Sequence, residues 1–248
     1  MMAAESLDLT VEAMGGAGDG IARLPDGGTC FLPLALPGDR LHARPAGRRG
    51  DSMLAEIEAL LGPSPDRVSP PCPHFAACGG CTLQHWADAP YAEWKRGRLA
   101  EALSRAGFPD APVAPLARTP PGTRRRADLA LRRGPGGITL GFHARGSGSV
   151  VDLAACTVLD PRLVALFAPL RGVLRGLGAL KREGSAVLNL LDSGPDLLLR
   201  TDGMLDAVGR TALAAFATAQ GLPRIAWARG NGPPGNRGAD RPRPASLR

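Results

Sequence analysis

The stretch LDLTVEA at residues 7–13 decides the fold of the first part of this chain, because its apolar and polar side chains alternate strictly. Its leucines, valine and alanine fall on one face of an extended strand and its polar side chains on the other, which predicts a half-buried β-strand. A glycine-rich segment follows at 15–20, and further strands are predicted at 21–23, 29–36 and 41–44, with glycine- or proline-containing turns between them.

Residues 54–61 are compatible with two structures, since they alternate as a strand while their larger apolar residues also fit one face of a helix. With this segment extended, five short strands in about sixty residues predict a small barrel of the OB type. The glycines at 16, 18 and 20 do not form a G-x-G-x-x-G dinucleotide motif, and a strand rather than a helix follows them. We therefore expect them to form a sharp corner of the barrel.

The rest of the chain alternates between helical and strand patterns, which predicts an α+β domain. In the strand predicted at 124–133, Ala127, Leu129 and Leu131 share one face, which we expect to point to the core. Helices are predicted at 90–106, from 160 to 177 and at 205–219, and strands at 124–133, 137–143, 149–153, 186–191, 196–201 and 224–228.

Composition excludes several classes of protein. Hydrophobic residues make up 44% of the 248, enough for a packed core, and no apolar run approaches the 18 residues of a membrane span. Met1–Leu9 has neither the basic nor the apolar region of a secretory signal. We therefore expect a cytoplasmic protein, with no membrane partner, whose five cysteines are reduced.

The net charge of +7 is carried almost entirely by arginine, since only two of the 30 basic residues are lysine. The arginine excess fits either the base composition of the genome or a preference for phosphate and base contacts. Six arginines and one aspartate lie between Arg118 and Arg133. Such a concentration is typical of a phosphate-binding surface, and a solvated strand edge is the alternative.

Four of the five cysteines form the most informative pattern. Three lie in a C-x5-C-x2-C loop and the fourth lies far downstream: Cys72, Cys78, Cys81 and Cys156. Four thiolates suit a tetrahedral zinc ion or an iron–sulfur cluster, and the three-plus-one arrangement favours the cluster, with His74 and His85 as alternative zinc ligands. Cys30 lies in an apolar strand and is expected to be a small core residue.

Several motifs together resemble a known family. Residues 18–23 and 36–39 resemble a TRAM domain, an RNA-binding module with an OB fold. The order of five further motifs is similar to that of the bacterial RNA (uracil-5-)-methyltransferases that modify 23S ribosomal RNA or transfer RNA. These motifs are Cys72–Cys81, Leu83–His85, Arg124–Arg126, Gly141–His143 and Asp152–Cys156.

The resemblance implies a [4Fe-4S] cluster on Cys72, Cys78, Cys81 and Cys156, rRNA or tRNA as the partner, and S-adenosylmethionine as methyl donor in the full-length family. It also implies catalysis by a cysteine thiolate that adds to C6 of a flipped-out uracil. Arg124, Arg126 and Arg132 share one side of the strand predicted at 124–133 and are the candidate phosphate contacts.

The sequence departs from this family after residue 233, where no glycine-rich cofactor turn, no Asp-Pro-Pro-Arg motif and no further cysteine follow, and 235–248 looks like a shifted reading frame. We therefore expect an α+β multidomain fold without a SAM-binding Rossmann-like domain, in a truncated or frameshifted chain that is monomeric and catalytically incomplete alone. No catalytic or SAM-binding residue is assigned.

The expected domains are a TRAM barrel at 1–62, an iron–sulfur domain at 63–228 and a disordered tail at 229–248. A stand-alone, non-catalytic RNA-binding module with an iron–sulfur or zinc site is the alternative.

Overall fold

The computed structural model of the protein describes residues 6–230, so the predicted tail lies outside the described residues except for its first two positions. The chain divides into two compact units. The first contains the residues up to Ala76 together with Cys81–Arg118, and the second contains Ala77–Gly80 together with the residues from Thr119 onward.

Five strands of the first unit close into a barrel in the order β1-β2-β3-β5-β4. The pairing of β3 with β5 is parallel, whereas the remaining pairs are antiparallel. The strands are β1 (Leu7–Met14), β2 (Gly20–Arg23), β3 (Thr29–Leu32), β4 (Arg40–Arg49) and β5 (Ser52–Gly62). The last of them ends at the residue after which the sequence predicts a domain boundary.

Two features of the barrel differ from expectation or resolve an ambiguity. The segment 54–61 is extended, because Ala55 is buried in the barrel core and β5 pairs with both β3 and β4. The third strand ends at Leu32 rather than at residue 36. Pro33 has no N–H to donate to a ladder, and Leu34 has a positive φ of 67°, which no strand accommodates.

The helix α1 (Asp88–Arg105) of the first unit contains no buried residue. Its N-terminal half is held by aromatic contacts, since the rings of Tyr91 and Trp94 pack against that of Trp86 at centroid distances of 6.4 and 5.6 Å. The indole N–H of Trp94 also donates to the carbonyl of Met14 at 3.4 Å. The C-terminal half has no comparable anchor, and the side chain of Leu99 is 52% exposed.

The second unit is built on a mixed sheet with strand order β10-β9-β8-β6-β7. Only the pair β9–β10 is parallel, as expected for two strands joined through a helix. The strands are β6 (Arg126–Gly134), β7 (Gly137–Gly141), β8 (Glu183–Leu191), β9 (Gly194–Thr201) and β10 (Arg224–Arg229).

Three helices accompany this sheet: α2 (Pro161–Val164), α3 (Phe167–Arg175) and α4 (Ala207–Gln220). The first two replace the single helix predicted from 160 to 177. Pro169 explains the break, because in a continuous helix it could not donate to the carbonyl of Ala165 and its ring would clash there. In the structure Pro169 falls in the first turn of α3, where no donor is needed.

The strand predicted at 149–153 is also corrected, since no strand ladder forms there. Only isolated bonds join it to the chain before it, with Val151 donating to Phe142 at 2.9 Å and Leu153 donating to Leu140 at 3.0 Å. The carboxylate of Asp152 accepts from the N–H of Leu140 at 3.0 Å and so takes the position of a ladder partner.

Candidate functional site

The sheet of the second unit has one apolar and one polar face. As predicted, Ala127, Leu129 and Leu131 are buried in the core. The alternate residues of β6 point the other way, and the strand register places residues of β8 and β9 beside them. We call this the polar face; it carries Arg126, Asp128, Ala130 and Arg132 of β6, Glu183, Ser185, Val187 and Asn189 of β8, and Asp196, Leu198 and Arg200 of β9.

A cleft of about 510 Å³ lies on this polar face, wholly within the second unit. That volume falls in the range of small-molecule sites. Its lining residues are Asp128, Ala130, Leu131, Arg132, His143, Glu183, Gly184, Ser185, Arg200, Thr201, Asp202 and Gly230.

Of the predicted phosphate contacts, two lie on the polar face. Arg126 is exposed, and its side chain has no hydrogen-bond or ion-pair partner within residues 6–230. Arg132 is exposed as well and forms an ion pair with Glu183. Arg124 is exposed but precedes β6, where its backbone pairs with Val158 and Asp160 at 3.1 and 3.0 Å.

The other arginines of this cluster are structural. The Nε–H of Arg125 donates to the carbonyl of Leu190 at 2.8 Å, and its guanidinium pairs with Asp192. Arg133 donates to the carbonyls that end α3 and the turn after it, those of Leu174, Arg175, Leu177 and Leu180. Arg118 belongs to the first unit, where it pairs with Asp88. Apart from Arg124, the arginines at 118–133 are therefore divided between the polar face and contacts inside the two units.

Two carboxylates of this region are committed to partners. Asp196 is buried, and the Arg224 guanidinium, at 2.5 and 2.9 Å, holds the pKa of that carboxyl below its usual value. Burial alone would raise the pKa of Asp202, but the N–H groups of Lys181 and Arg182, at 2.7 and 2.9 Å, outweigh that effect and lower it. Both side chains therefore stay ionised and oriented at neutral pH.

No sequence pattern identifies the members of the cleft that β8 and β9 supply, above all Ser185 and Arg200. These residues lie more than fifty positions from the arginine cluster in the chain, and no motif marks them. The only signal was strand alternation at 196–201, which places Arg200 opposite the buried leucines but does not say which strand lies beside it.

The cysteine loop is tightly held around Cys78. The N–H of Gly79 donates to the carbonyl of His143 at 2.9 Å, and the N–H of Gly80 lies 3.4 Å from the sulfur of Cys78. A Cβ on Gly79 would lie 2.8 Å from that same carbonyl oxygen, so only glycine fits this turn. The turn thus directs a backbone donor at a cysteine sulfur, as in sites that bind metal through thiolates.

None of the four predicted metal ligands forms a disulfide, and thiols suit a soft metal. Cys78 belongs to the apolar core of the second unit, and Cys156 packs against that same core. Cys72 and Cys81 belong to the first unit and are half-buried. Among residues 6–230, however, no three histidine, cysteine, aspartate or glutamate side chains come close enough together to hold a metal ion. The metal site therefore stays a prediction.

The alternative zinc ligands differ in setting. His85 is buried, with its ring 5.1 Å from that of Phe75, whereas His74 is half-buried. Cys30 lies in the barrel core as expected, and burial raises the pKa of its thiol. A thiol that is shielded from solvent and held protonated is a poor nucleophile.

No helix in the described part of the chain is long and apolar enough to cross a membrane. No protein-family model matches the chain.

The fold is similar to a solved structure, the tRNA (uracil-54, C5)-methyltransferase of Pyrococcus abyssi in complex with S-adenosyl-L-homocysteine. The two share 20% identity with a TM-score of 0.65 over 91% of this chain and 52% of the other. The fold class expected from the sequence, without a SAM-binding methyltransferase fold, is therefore wrong. Missing motifs describe a cofactor site, whereas a fold is set by the buried side chains along the whole chain.

Curated relatives point the same way. An uncharacterised RNA methyltransferase of Caulobacter vibrioides is 39% identical over 91% of this chain and 52% of its own length. A 23S rRNA (uracil(1939)-C(5))-methyltransferase of Pectobacterium atrosepticum is 37% identical over 88% of this chain and 49% of its own. The chain is thus similar to RNA methyltransferases over about nine tenths of its length and spans about half the length of these curated relatives.

Proposed function

We propose that this chain is part of an RNA (uracil-C5)-methyltransferase, acts on rRNA or tRNA, and supplies RNA binding to that reaction as a monomer. The observation that carries the proposal is the 37% identity to a 23S rRNA uracil-C5 methyltransferase, which extends over 88% of the chain. S-adenosylmethionine is the methyl donor that this reaction implies.

The reaction needs a thiolate that this chain does not offer. Uracil C5 becomes nucleophilic when a cysteine thiolate adds to C6; C5 then takes the methyl group, a base removes the C5 proton and the thiolate leaves. Of the five cysteines, Cys30 is buried with a raised pKa, and the other four are the proposed metal ligands. We therefore expect this chain alone to bind RNA without methylating it.

RNA binding is proposed for two surfaces. One is the N-terminal barrel, proposed to be a TRAM module. The other is the polar face, where Arg126 and Arg132 are proposed to contact phosphates together with Arg124 beside it. The support from the structure is strongest for Arg126, since its guanidinium is exposed and its five donors have no protein partner within the described residues.

We also propose that Cys72, Cys78, Cys81 and Cys156 hold a [4Fe-4S] cluster with a structural role. Support comes from the three-plus-one spacing, the lack of a disulfide at any of these four cysteines and the Gly80 N–H directed at the Cys78 sulfur. Hydrogen bonds to sulfur stabilise the negative charge of thiolate-bound clusters.

One pair of assays tests the proposed function. The purified chain is titrated into fluorescently labelled fragments of rRNA and tRNA at several salt concentrations, and it is incubated with the same RNAs and radiolabelled S-adenosylmethionine. We expect binding that weakens as salt rises and no incorporation of label into RNA. Failure to bind either RNA contradicts the proposal, and methylated uridine contradicts the expectation that this chain lacks the nucleophile.

A further inference from the structure

Three aromatic rings of the first unit, those of Trp86, Tyr91 and Trp94, form a cluster that carries two cations. The rings of Tyr91 and Trp94 lie 6.3 Å apart. The ammonium group of Lys95 lies 4.9 Å from the ring centroid of Trp94 and 5.8 Å from that of Tyr91. The guanidinium group of Arg118 lies over the Tyr91 ring at 4.8 Å. This aromatic cluster therefore joins positive charge to flat apolar surface, the two features with which proteins bind single-stranded nucleic acid.

The aromatic cluster is fixed by contacts within its own unit. Tyr91 and Trp94 are half-buried and pack against a small core of Met14, Leu36 and Trp86. The indole N–H of Trp94 is held by the carbonyl of Met14. Side chains that are ordered before a ligand arrives lose little conformational freedom on binding, so this surface is preorganised.

The charge of Lys95 is not used inside the protein. Its side chain is exposed and has no hydrogen-bond or ion-pair partner among residues 6–230. On a helix, side chains three or four positions away are neighbours, and the residues at 91, 92, 98 and 99 include no carboxylate. The nearby Glu93 is paired with Arg96. The ammonium group of Lys95 is therefore available to a phosphate.

Arg118 is held along one edge and on one face of its guanidinium plane. Its Nη1 pairs with the carboxylate of Asp88, and the Tyr91 ring lies against one face. Because the side chain is 43% exposed, the second face is open to solvent. Unpaired RNA bases stack on guanidinium planes as well as on aromatic rings, so this open face can take a base.

We propose that the aromatic cluster binds a single-stranded segment of the RNA substrate, with Lys95 contacting a phosphate and one unpaired base stacked on the Arg118 guanidinium. Both cations lie over the same Tyr91 ring, so neighbouring groups of one RNA strand can contact both. Stacking and phosphate contacts are tolerant of sequence, since every base has a flat face. The inference rests on the proposed RNA-binding function, which it deepens by naming a further site.

Two substitutions separate the phosphate contact from the stacked base. The RNAs are a labelled seven-residue uridine oligonucleotide and an abasic analogue of equal length and charge, titrated at four salt concentrations by fluorescence anisotropy. Lys95→Gln should lower the salt slope of log K by about one for both RNAs. Arg118→Lys keeps the charge but has no planar group, so it should bind the uridine RNA about tenfold more weakly and the abasic analogue unchanged. The control is Arg105→Gln, which changes an exposed arginine in the last turn of α1 and should alter neither quantity.

A second readout reports the aromatic cluster directly. The indole N–H signals of the three tryptophans are followed by NMR as the uridine RNA is added. The signal of Trp94 should shift, whereas that of Trp227, which packs against the core of the second unit, should stay in place. The same titration with a seven-residue glutamate peptide asks whether an acidic protein segment is the occupant instead.

The outcomes distinguish this site from the proposed function. An unchanged salt slope in Lys95→Gln, or an equal loss of affinity on base removal in the wild type and Arg118→Lys, overturns the site and leaves RNA binding elsewhere intact. A shift of the Trp94 signal with the glutamate peptide but not with RNA overturns RNA as the occupant. If the wild-type chain binds no RNA at all, the site and the proposed function are both overturned.

Discussion

Arg126 carries the most direct prediction at the scale of a single residue. Replacing it with Ala should weaken RNA binding about equally for all sequences and lower the salt slope of log K by about one, because one phosphate contact is lost. Titration at four salt concentrations measures this. Arg210→Ala is the matched control, since Arg210 is exposed on α4, a helix that packs on the apolar side of the sheet. A slope that is the same in Arg126→Ala and the wild type contradicts the assignment.

The cysteines support a second prediction at this scale. Replacing Cys72, Cys78, Cys81 or Cys156 singly with Ser should lower the iron and acid-labile sulfide of anaerobically purified protein, together with its broad visible absorbance. The control is Cys30→Ala, which removes a buried core thiol and should leave the iron content unchanged. Stoichiometric zinc in the wild-type protein would reject the cluster in favour of a zinc site, and full iron in all four variants would reject these ligands.

Asp39 joins the residue scale to the element scale, because its buried carboxylate ties the barrel to the segment after β5. It accepts from the backbone N–H groups of Leu36 and Ser64 at 2.6 and 2.8 Å and pairs with Arg67. Burial alone would raise the pKa of Asp39, but these hydrogen bonds, with that from Arg67 the strongest, outweigh it and lower the pKa.

A group with a lowered folded pKa stabilises the fold above its unfolded pKa, and that contribution disappears as the pH falls through the folded value. The stability supplied by Asp39 should therefore be complete at neutral pH, begin to fall near the unfolded pKa of about 4, and be lost as the pH drops further through the lower folded pKa. Asp39→Asn should lower the unfolding free energy at pH 7 by about 3 kcal/mol, because it leaves Arg67 without its charge partner. The variant should also lose less of its unfolding free energy than the wild type as the pH is lowered into the acid range. Denaturant titration between pH 3 and 7 measures this, with the exposed Asp51→Asn as control. Equal acid sensitivity of both variants would contradict the role of Asp39.

At the scale of elements, α1 departs from the usual amphipathic helix. Most helical stability in proteins comes from packing of an apolar face, and α1 has no buried residue. Its aromatic anchors lie in the first two turns, so the amides of residues 99–105 should exchange with deuterium much faster than those of β8, a central strand of its sheet. Protection of 99–105 comparable to that of β8 would contradict this expectation.

At the scale of the whole molecule, net charge sets the sequence-independent part of RNA binding. Residues 231–248 carry four arginines and one aspartate, which is +3 of the total +7. A chain that ends at residue 230 should therefore bind all RNAs more weakly, with a salt slope reduced by about two. An unchanged slope would show that these charges make no phosphate contact.

Local patterns determined much of the fold. Strict alternation predicted β1 and the core side of β6, and five spaced strands predicted the barrel. The ends of α4 are also set by neighbouring residues. The Asp206 carboxylate caps its N-terminus by accepting from the N–H of Gly209 at 2.7 Å, and Gly221 ends it in a left-handed conformation. The wrong predictions also have local causes. Pro169 divides the helix predicted from 160 to 177, and the positive φ of Leu34 ends the strand predicted at 29–36.

The sequence by itself determined which residues carry chemistry: the clustered cysteines, the arginine cluster and the likeness to RNA methyltransferases all follow from residue identity and spacing. Only the tertiary structure decided which of them share a surface. Strand register brings Asp128, Ser185 and Arg200 to one cleft. Arg125 and Arg133 donate to backbone carbonyls, whereas Arg126 stays exposed. The physical reason is that hydrogen-bond pairing joins segments fifty or more residues apart, and no local pattern specifies which strand a given strand will meet.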